Sequence, residues 1–260
     1  MRELIEKLER ESGSHKGQNG KVGVVAGSRD YSGAPALSAK AALRTGCDLV
    51  KILTSRSVSS TVASYSENFI IDDYSADCFD TAAVEKALEI AEWADAVVIG
   101  PGLGDPEAEA VRRFMQEADC SMVVDADALE YAGRTPLDDA VLTPHSGEFE
   151  AHVEDILDEL LENDNVVLKK GRIDAVYSRE SEKDIETGHP AMTVGGTGDV
   201  LTGIVASLIS QGLRKEEAAE LGAWLNGKAG EKAAEDYCNS ALATDIIEKI
   251  PEVLKDSGLD

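Results

Sequence analysis

The sequence has little cysteine and no long apolar segment. Its cysteines are far apart and form no Cys-x-x-Cys pair: Cys47, Cys78, Cys120 and Cys238. This spacing argues against a disulfide framework, a cysteine metal site or an activated thiol, and it fits a reducing cytoplasm. Apolar runs such as 96–99 are far shorter than the roughly 20 residues that cross a bilayer. Residues 1–8 alternate charged and apolar side chains and carry no apolar secretory core, so we expect a cytoplasmic protein.

Basic residues are also scarce, 25 against 50 acidic ones, which gives a formal charge of −25 at pH 7. Such a surface repels polyanions, so we expect neither nucleic acid nor a membrane as a partner. The acidic residues are spread along the whole chain instead of forming a tail. We interpret them as a halophilic adaptation to high intracellular salt, in which screening over a few ångströms removes the self-repulsion.

Apolar strands that alternate with helices are the main feature of the chain. With 43% hydrophobic residues over 260 positions, we expect one domain, 1–260, that begins with an N-terminal helix at 1–13. The predicted strands are 22–27, 48–53, 96–99, 121–124, 140–142, 166–169 and 173–177. The predicted helices are 34–45, 57–65, 81–93, 107–117, 199–211, 215–236 and 243–254. This order predicts an α/β fold of three layers, with a central mostly parallel sheet flanked by helices. Right-handed crossovers then align the carboxyl ends of the strands along one rim, where ligands bind.

The most informative motif is the glycine-rich turn at 195–199 (GGTGD), which is followed at once by an apolar run at helical spacing. A glycine turn that opens a helix directs several backbone N–H groups at one spot and forms an anion hole. Asp199, in the first helical turn, is placed to accept a proton from a hydroxyl group that attacks a bound phosphoryl group. The local pattern alone equally allows Asp199 to be only a helix-capping residue.

Segment 195–203 (GGTGDVLTG) resembles the signature of the ADP/ATP-dependent NAD(P)H-hydrate dehydratases, a branch of the ribokinase-like, carbohydrate-kinase-related superfamily. Further segments resemble the same family in the same order: 15–17, 27–28, 31–36 (YSGAPA), 99–104 (IGPGLG), 124–129 (VDADAL), 142–149 (LTPHSGEF) and 167–171 (VLKKG). The resemblance extends from about residue 14 to about residue 250 and implies a ribokinase-like fold.

The resemblance implies metabolite repair: a nucleotide-dependent lyase that removes water from hydrated NADH and NADPH. ADP or ATP would be the co-substrate and Mg²⁺ the cofactor, and the hydrate hydroxyl would be phosphorylated before phosphate is eliminated. Asp199 would be the catalytic base. The family also implies a homo-oligomer, with a tetramer expected.

The resemblance further implies two sets of binding residues. The hydrated dinucleotide would contact Ala34, Gly102, His145 and Asp199. The adenine nucleotide would contact Lys170, Gly171, Arg172, Ile173, Asp174 and Gly198. The chain departs from the family at Asp174, where a threonine is usual, and at His189 and Ala191, which replace Asn and Gly. Segment 149–166 is short for the family, which predicts a trimmed helix there.

Other motifs leave alternatives open. Asp125 and Asp127 follow a strand and either hold a magnesium–water network or cap the next helix, and Glu148 is a similar case. No metal ligand is assigned from the sequence. The segment 222–229 (GAWLNGKA) matches a P-loop except at its last residue, but it lies within a helical pattern with no preceding strand. We therefore interpret its small residues as helix-packing positions. His15, His152 and His189 are interpreted as structural.

Two competing functions remain. A ribokinase-like small-molecule kinase, acting on a vitamin-like or sugar hydroxyl, would share the fold and Asp199 but release a stable phosphoester. A nucleotide-sensing binder without turnover would not need the carboxylate of Asp199.

Overall fold

The computed structural model describes residues 1–259 and contains one continuous sheet of nine strands. The strands are β1 (Lys21–Val25), β2 (Leu49–Ser55), β3 (Phe69–Tyr74), β4 (Ala96–Ile99), β5 (Ser121–Val124), β6 (Ala140–Leu142), β7 (Val166–Lys169), β8 (Asp174–Tyr177) and β9 (Glu182–Ile185). Their order across the sheet is β3-β2-β1-β4-β5-β6-β7-β8-β9. All neighbours are parallel except β7–β8 and β8–β9, which are antiparallel, so the predicted mostly parallel sheet is confirmed.

Helices cover both faces of this sheet. They are α1 (Arg2–Glu6), α2 (Ala34–Thr45), α3 (Arg56–Ser64), α4 (Val84–Trp93), α5 (Ala108–Glu117), the single turn α6 (Ser146–Glu148), α7 (Leu157–Glu162), α8 (Thr197–Ser210), α9 (Lys215–Tyr237) and α10 (Ala243–Asp256). None of the helices within residues 1–259 is long and apolar enough to cross a lipid bilayer.

The core lies in two layers because successive side chains of a strand point to opposite faces. In β4 every residue is buried, with Ala96 and Val98 in one cluster and Val97 and Ile99 in the other. The first cluster packs under α2, α8, α9 and α10, and the second packs under α4 and α5. The three-layer arrangement predicted from the apolar strands is therefore confirmed.

The central strands end at the same level. The strand-end residues Val25, Ile99, Val124 and Leu142 are neighbours in register across β1, β4, β5 and β6, and Leu142 pairs with Val167 of β7. The loops that follow these strands therefore share one rim, as predicted. The helices α2 and α8 also begin near this rim. A glycine precedes each of them, Gly33 before α2 and Gly196 before α8.

Some predicted elements differ from the structure. The N-terminal helix covers only Arg2–Glu6, and the predicted extension to residue 13 is wrong, since Leu8 is the only apolar residue between 7 and 13 and a single residue makes no helical packing face. Segment 149–166 does not form one trimmed helix: a π-helical turn, a 3₁₀ turn and α7 divide it. A 3₁₀ helix at Ala126–Arg134 follows β5. The strands β3 and β9 were not predicted.

Candidate functional site

The glycine turn and the first turn of α8 form the centre of the rim. Gly196 precedes the helix with a φ of 95°, a left-handed conformation that favours glycine. Asp199 lies in the first helical turn, half-buried, near the backbone of Gly196. The local signal, glycines before an apolar helix, thus produces a helix N-terminus whose free N–H groups face the rim.

The carboxyl group of Asp199 has an unusual protonation equilibrium. Burial raises its pKa to about 7, the negative charge of Asp125 adds to this rise, and the ammonium group of Lys170 opposes it. Asp127 contributes a smaller rise. A carboxyl group with a pKa near neutrality can both accept and release a proton at physiological pH, which suits a general base.

Lys170 links the end of β7 to the end of β5, across the intervening strand β6. Its Nζ donates to Oδ1 of Asp125 at 2.6 Å, and the hydroxyl of Thr143 donates to the same oxygen at 2.9 Å. Burial alone would lower the pKa of Lys170, but the carboxylates of Asp125, Glu148 and Asp199 outweigh burial and raise its pKa. Lys170 is therefore charged. It lies close to Gly198 at the start of α8, because a β-carbon on Gly198 would be 3.3 Å from Nζ.

The two aspartates after β5 make different contacts. The side chain of Asp125 makes no helix-capping hydrogen bond, and its carboxylate pairs with Lys170 instead. The Oδ2 atom of Asp127 accepts a hydrogen bond from the N–H of Gly104 at 2.8 Å, and burial raises its pKa. The capping interpretation of Asp125 is therefore wrong.

On the other side of α8, Ala34 and Gly102 lie together. A β-carbon on Gly102 would be 3.2 Å from Cβ of Ala34. Ala34 is the first residue of α2, and α2 packs closely against α8, where Ser38 and Thr202 share a buried hydrogen bond of 3.2 Å. The carbonyl oxygen of Ser38 leaves no room for a β-carbon at Gly203. The structure therefore brings Ala34, Gly102 and the first turn of α8 to one part of the rim.

His145 lies next to Lys170, since the two residues form a parallel β-bridge. Its Nδ1 accepts hydrogen bonds from the N–H groups of Gly147 and Glu148 at 3.0 and 3.1 Å, so a neutral ring carries its proton on Nε2. The side chain is 61% exposed, and Nε2 lies 3.4 Å from Oε1 of Glu148. His145 therefore caps α6, and the rest of its exposed ring lies beside Glu148.

A cavity of about 460 Å³ opens beside the N-terminus of α8. Five of the six residues predicted to contact the nucleotide line it: Lys170, Gly171, Arg172, Asp174 and Gly198. Ile173 is half-buried and is not among the lining residues. Asp174 accepts a hydrogen bond from the N–H of Gly171 at 2.8 Å, and burial raises its pKa to about 6.

Residues from segment 187–193, from α8 and from α9 complete the cavity. The lining also includes Thr187, Gly188, His189, Pro190, Met192, Thr193, Thr197, Leu201, Asn226 and Gly227. His189 caps the 3₁₀ turn Pro190–Met192 through Nδ1, as a structural histidine would, and also lines the cavity. Segment 222–229 lies inside α9, so the rejection of the P-loop interpretation is confirmed, but two of its residues still face the cavity. These two residues are Asn226 and Gly227. In the sequence they belonged to a pattern of small residues, which alone did not distinguish helix packing from ligand binding.

The described residues 1–259 contain no group of three or more His, Cys, Asp or Glu side chains arranged to hold a metal ion. Mg²⁺ commonly binds proteins through one or two carboxylates and takes its remaining ligands from phosphate and water. Single carboxylates near the rim, such as Asp127 and Glu148, fit this mode of binding, in which phosphate and water supply most of the ligands. They do not form a closed cage of protein ligands.

Comparison with known proteins adds independent evidence. The family model described as NAD(P)H-hydrate dehydratase matches residues 22–252. The ADP-dependent (S)-NAD(P)H-hydrate dehydratase of Haloterrigena turkmenica is 43% identical over 244 residues, which cover 91% of this chain and 93% of that protein.

Solved structures agree in fold. A ribokinase-like superfamily protein of Enterococcus faecalis superposes with a TM-score of 0.84 at 20% identity, covering 100% of this chain and 96% of that one. The ADP/ATP-dependent NAD(P)H-hydrate dehydratase of Bacillus subtilis, co-crystallised with ATP/Mg²⁺, has a TM-score of 0.82 at 27% identity and covers 99% and 97%. The predicted ribokinase-like fold is thus confirmed, and the chain belongs to the NAD(P)H-hydrate dehydratase family.

Proposed function

We propose that this protein catalyses the ADP-dependent dehydration of the S epimer of hydrated NADH and NADPH, with Asp199 as the catalytic base. One observation carries the proposal: a carboxyl group with a pKa of about 7 lies at a helix N-terminus between a nucleotide-sized cavity and the surface formed by Ala34 and Gly102. The choice of ADP and of the S epimer rests on the Haloterrigena turkmenica relative.

The first chemical step transfers a phosphoryl group. The hydroxyl oxygen of the hydrate attacks the terminal phosphorus of ADP, Asp199 takes the hydroxyl proton, and the bond from that phosphorus to the bridging oxygen breaks to release AMP. The N–H groups at the start of α8 and the ammonium of Lys170 would stabilise the charge on the transferring group. Lys170 is held in place for this role by its 2.6 Å bond to Asp125.

The second step eliminates phosphate. The lone pair of the ring nitrogen expels the phosphate group from the neighbouring carbon, and loss of a proton from the adjacent ring carbon restores the reduced nicotinamide. Phosphorylation is needed because hydroxide is a poor leaving group and phosphate is a good one. The expelled phosphate takes up the ring proton, so the balance is hydrate plus ADP giving NAD(P)H, AMP, inorganic phosphate and the one proton that Asp199 accepted.

The proposed binding roles follow the two sides of α8. Ala34, Gly102 and the exposed ring of His145 would contact the hydrated dinucleotide. Residues 170–174 and Gly198 would contact the nucleotide, although Ile173 is not among the residues that line the cavity. Mg²⁺ would enter with the nucleotide phosphates and neutralise part of their charge, and Asp127 and Glu148 are candidate carboxylates to hold it.

We further propose that residues 1–260 act as one domain, in a homo-oligomer, in a cytoplasm of high salt. The single nine-stranded sheet supports the first point, and the net charge of −25 supports the last. The expected tetramer rests on the family.

The test is incubation of the purified protein with S-hydrated NADH and ADP, following the absorbance of the reduced ring together with AMP and inorganic phosphate. We expect all three products to appear in equal amounts. A stable phosphorylated product without recovery of NADH would instead identify a small-molecule kinase. The absence of turnover with ADP would refute the proposal.

A further inference from the structure

Asn226 is a buried polar residue that the proposed mechanism does not use. It lies in the middle of α9, is only 7% exposed, and lines the 460 Å³ cavity. Its carboxamide oxygen is buried and has no hydrogen-bond partner among residues 1–259. A buried polar group without a partner is costly, and most such groups in proteins are satisfied. Because Asn226 also lines the cavity, rotation of its carboxamide about Cβ–Cγ turns the oxygen toward a ligand bound there.

Asn226 belongs to α9, a different element of the cavity wall from the residues expected at the phosphate end. The phosphate end is marked by Gly198 and Lys170, where the helix N-terminus and the ammonium group meet. Leu201, one helical turn further along α8, lines the cavity together with Asn226 of the neighbouring helix. Next to Asn226, the backbone of α9 lies close to Thr187. The hydroxyl of Thr187 leaves no room for a β-carbon at Gly227.

The surroundings of Asn226 suit a flat aromatic ring. Pro190, Met192 and Leu201 supply apolar surface to the same cavity, and apolar walls with one or two directed polar groups are typical of sites that bind planar ligands. A neutral carboxamide offers one acceptor and two donors in a plane, and rotation about Cβ–Cγ allows either its oxygen or its nitrogen to face the ring.

We propose that Asn226 reads the base of the nucleotide co-substrate by accepting a hydrogen bond from the 6-amino group of adenine and donating one to an adjacent ring nitrogen. This inference rests on the proposed nucleotide-dependent function and names the residue that selects the base. Asparagine pairs with adenine through the same two contacts where proteins read DNA. An unpaired acceptor needs a donor, and the 6-amino group supplies one.

The experiment compares ADP with purine riboside 5′-diphosphate, which lacks only the 6-amino group. Binding of each to the wild-type protein is measured by titration calorimetry without the hydrate, so that base recognition is separated from turnover. The variant Asn226→Leu keeps the size of the side chain and removes both polar atoms. The control is Asn68→Leu, the same change at an exposed position whose side chain contacts only Ser66.

We expect the wild-type protein and Asn68→Leu to bind ADP at least about tenfold more tightly than the deaminated analogue, in line with one hydrogen bond that a buried group would otherwise lack. In Asn226→Leu the two affinities should agree within about twofold. If that variant does not fold, Asn226→Ala is compared in its place.

Equal affinities in the wild-type protein, or a preference that survives in Asn226→Leu, would overturn the inference. In the first case, turnover of hydrated NADH with ADP would leave the proposed function intact. Base discrimination that depends on Asn226, without any turnover of the hydrate, would instead support the inference and refute the proposed function.

Discussion

Replacing Asp199 by asparagine tests the proposed mechanism directly, because the change keeps the size of the side chain and removes its basicity. Loss of a general base typically slows a reaction by about 10²–10⁴-fold, so we expect turnover of the hydrate to fall at least about a hundredfold. ADP should still bind, and slightly more tightly, since a negative charge near its phosphates is gone. A preserved ADP affinity also serves as the control for folding.

The pH dependence gives the same test in the unmodified protein. Asp199 must be ionised to accept a proton, and its pKa in the free protein is about 7. The ionised fraction is then about one tenth at pH 6 and about nine tenths at pH 8, so kcat/KM for the hydrate should rise roughly tenfold across this range. Initial rates of NADH recovery at constant ionic strength, with both ADP and the hydrate well below saturation, measure this profile for the free protein.

Two neighbouring charges should move the profile in opposite directions. Asp125→Asn removes a negative charge that raises the pKa of Asp199, so the rise in rate should occur at lower pH. Lys170→Met removes a positive charge that lowers the same pKa, so the rise should occur at higher pH. A flat profile, a shift of both variants in one direction, or full turnover by Asp199→Asn would refute the assignment of the base.

Three further changes test the flanking parts of the site. Ala34→Leu should raise KM for the hydrate at least about tenfold by blocking its contact surface, while the ADP affinity measured by calorimetry stays unchanged; an equal loss of both would contradict the two-sided site. Asp174 has a pKa of about 6, so Asp174→Asn should tighten ADP binding severalfold at pH 8, where the carboxylate repels phosphate, and have little effect at pH 5. Because the net charge is −25, the melting temperature should rise by roughly 5–10 °C between 0.1 and 2 M KCl, a gain of a few kcal/mol, whereas equal values would contradict the halophilic interpretation.

Elements with a clear packing face were predictable from the sequence. Helix α2 was predicted at 34–45, as the structure has it, because Gly46 adopts the left-handed conformation that ends a helix. The missed strands β3 and β9 occupy the two edges of the sheet. Edge strands carry charged residues and bury little surface, so FIIDDY and EKDI lack the continuous apolar run that identified the central strands.

The rim side of the site was also predictable, since motifs that follow parallel strands must meet there. Ala34, Gly102, Lys170 and Asp199 come from four distant segments that the structure brings to one region. The contribution of α9 was not predictable in the same way. Asn226 sits among buried small residues, and only the tertiary packing reveals that its carboxamide has no partner.

The contact between α2 and α8 limits how the substrate surface can change. Gly203 lies directly against the carbonyl oxygen of Ser38, so we expect Ala34 and Asp199, at the starts of these two packed helices, to move together. A mutation that widens the substrate surface by tilting α2 would therefore also displace the catalytic carboxylate. Changes in substrate range are expected to arise instead in the loops before α2 and after β4, which can be remodelled while the distance between the two helix starts stays constant.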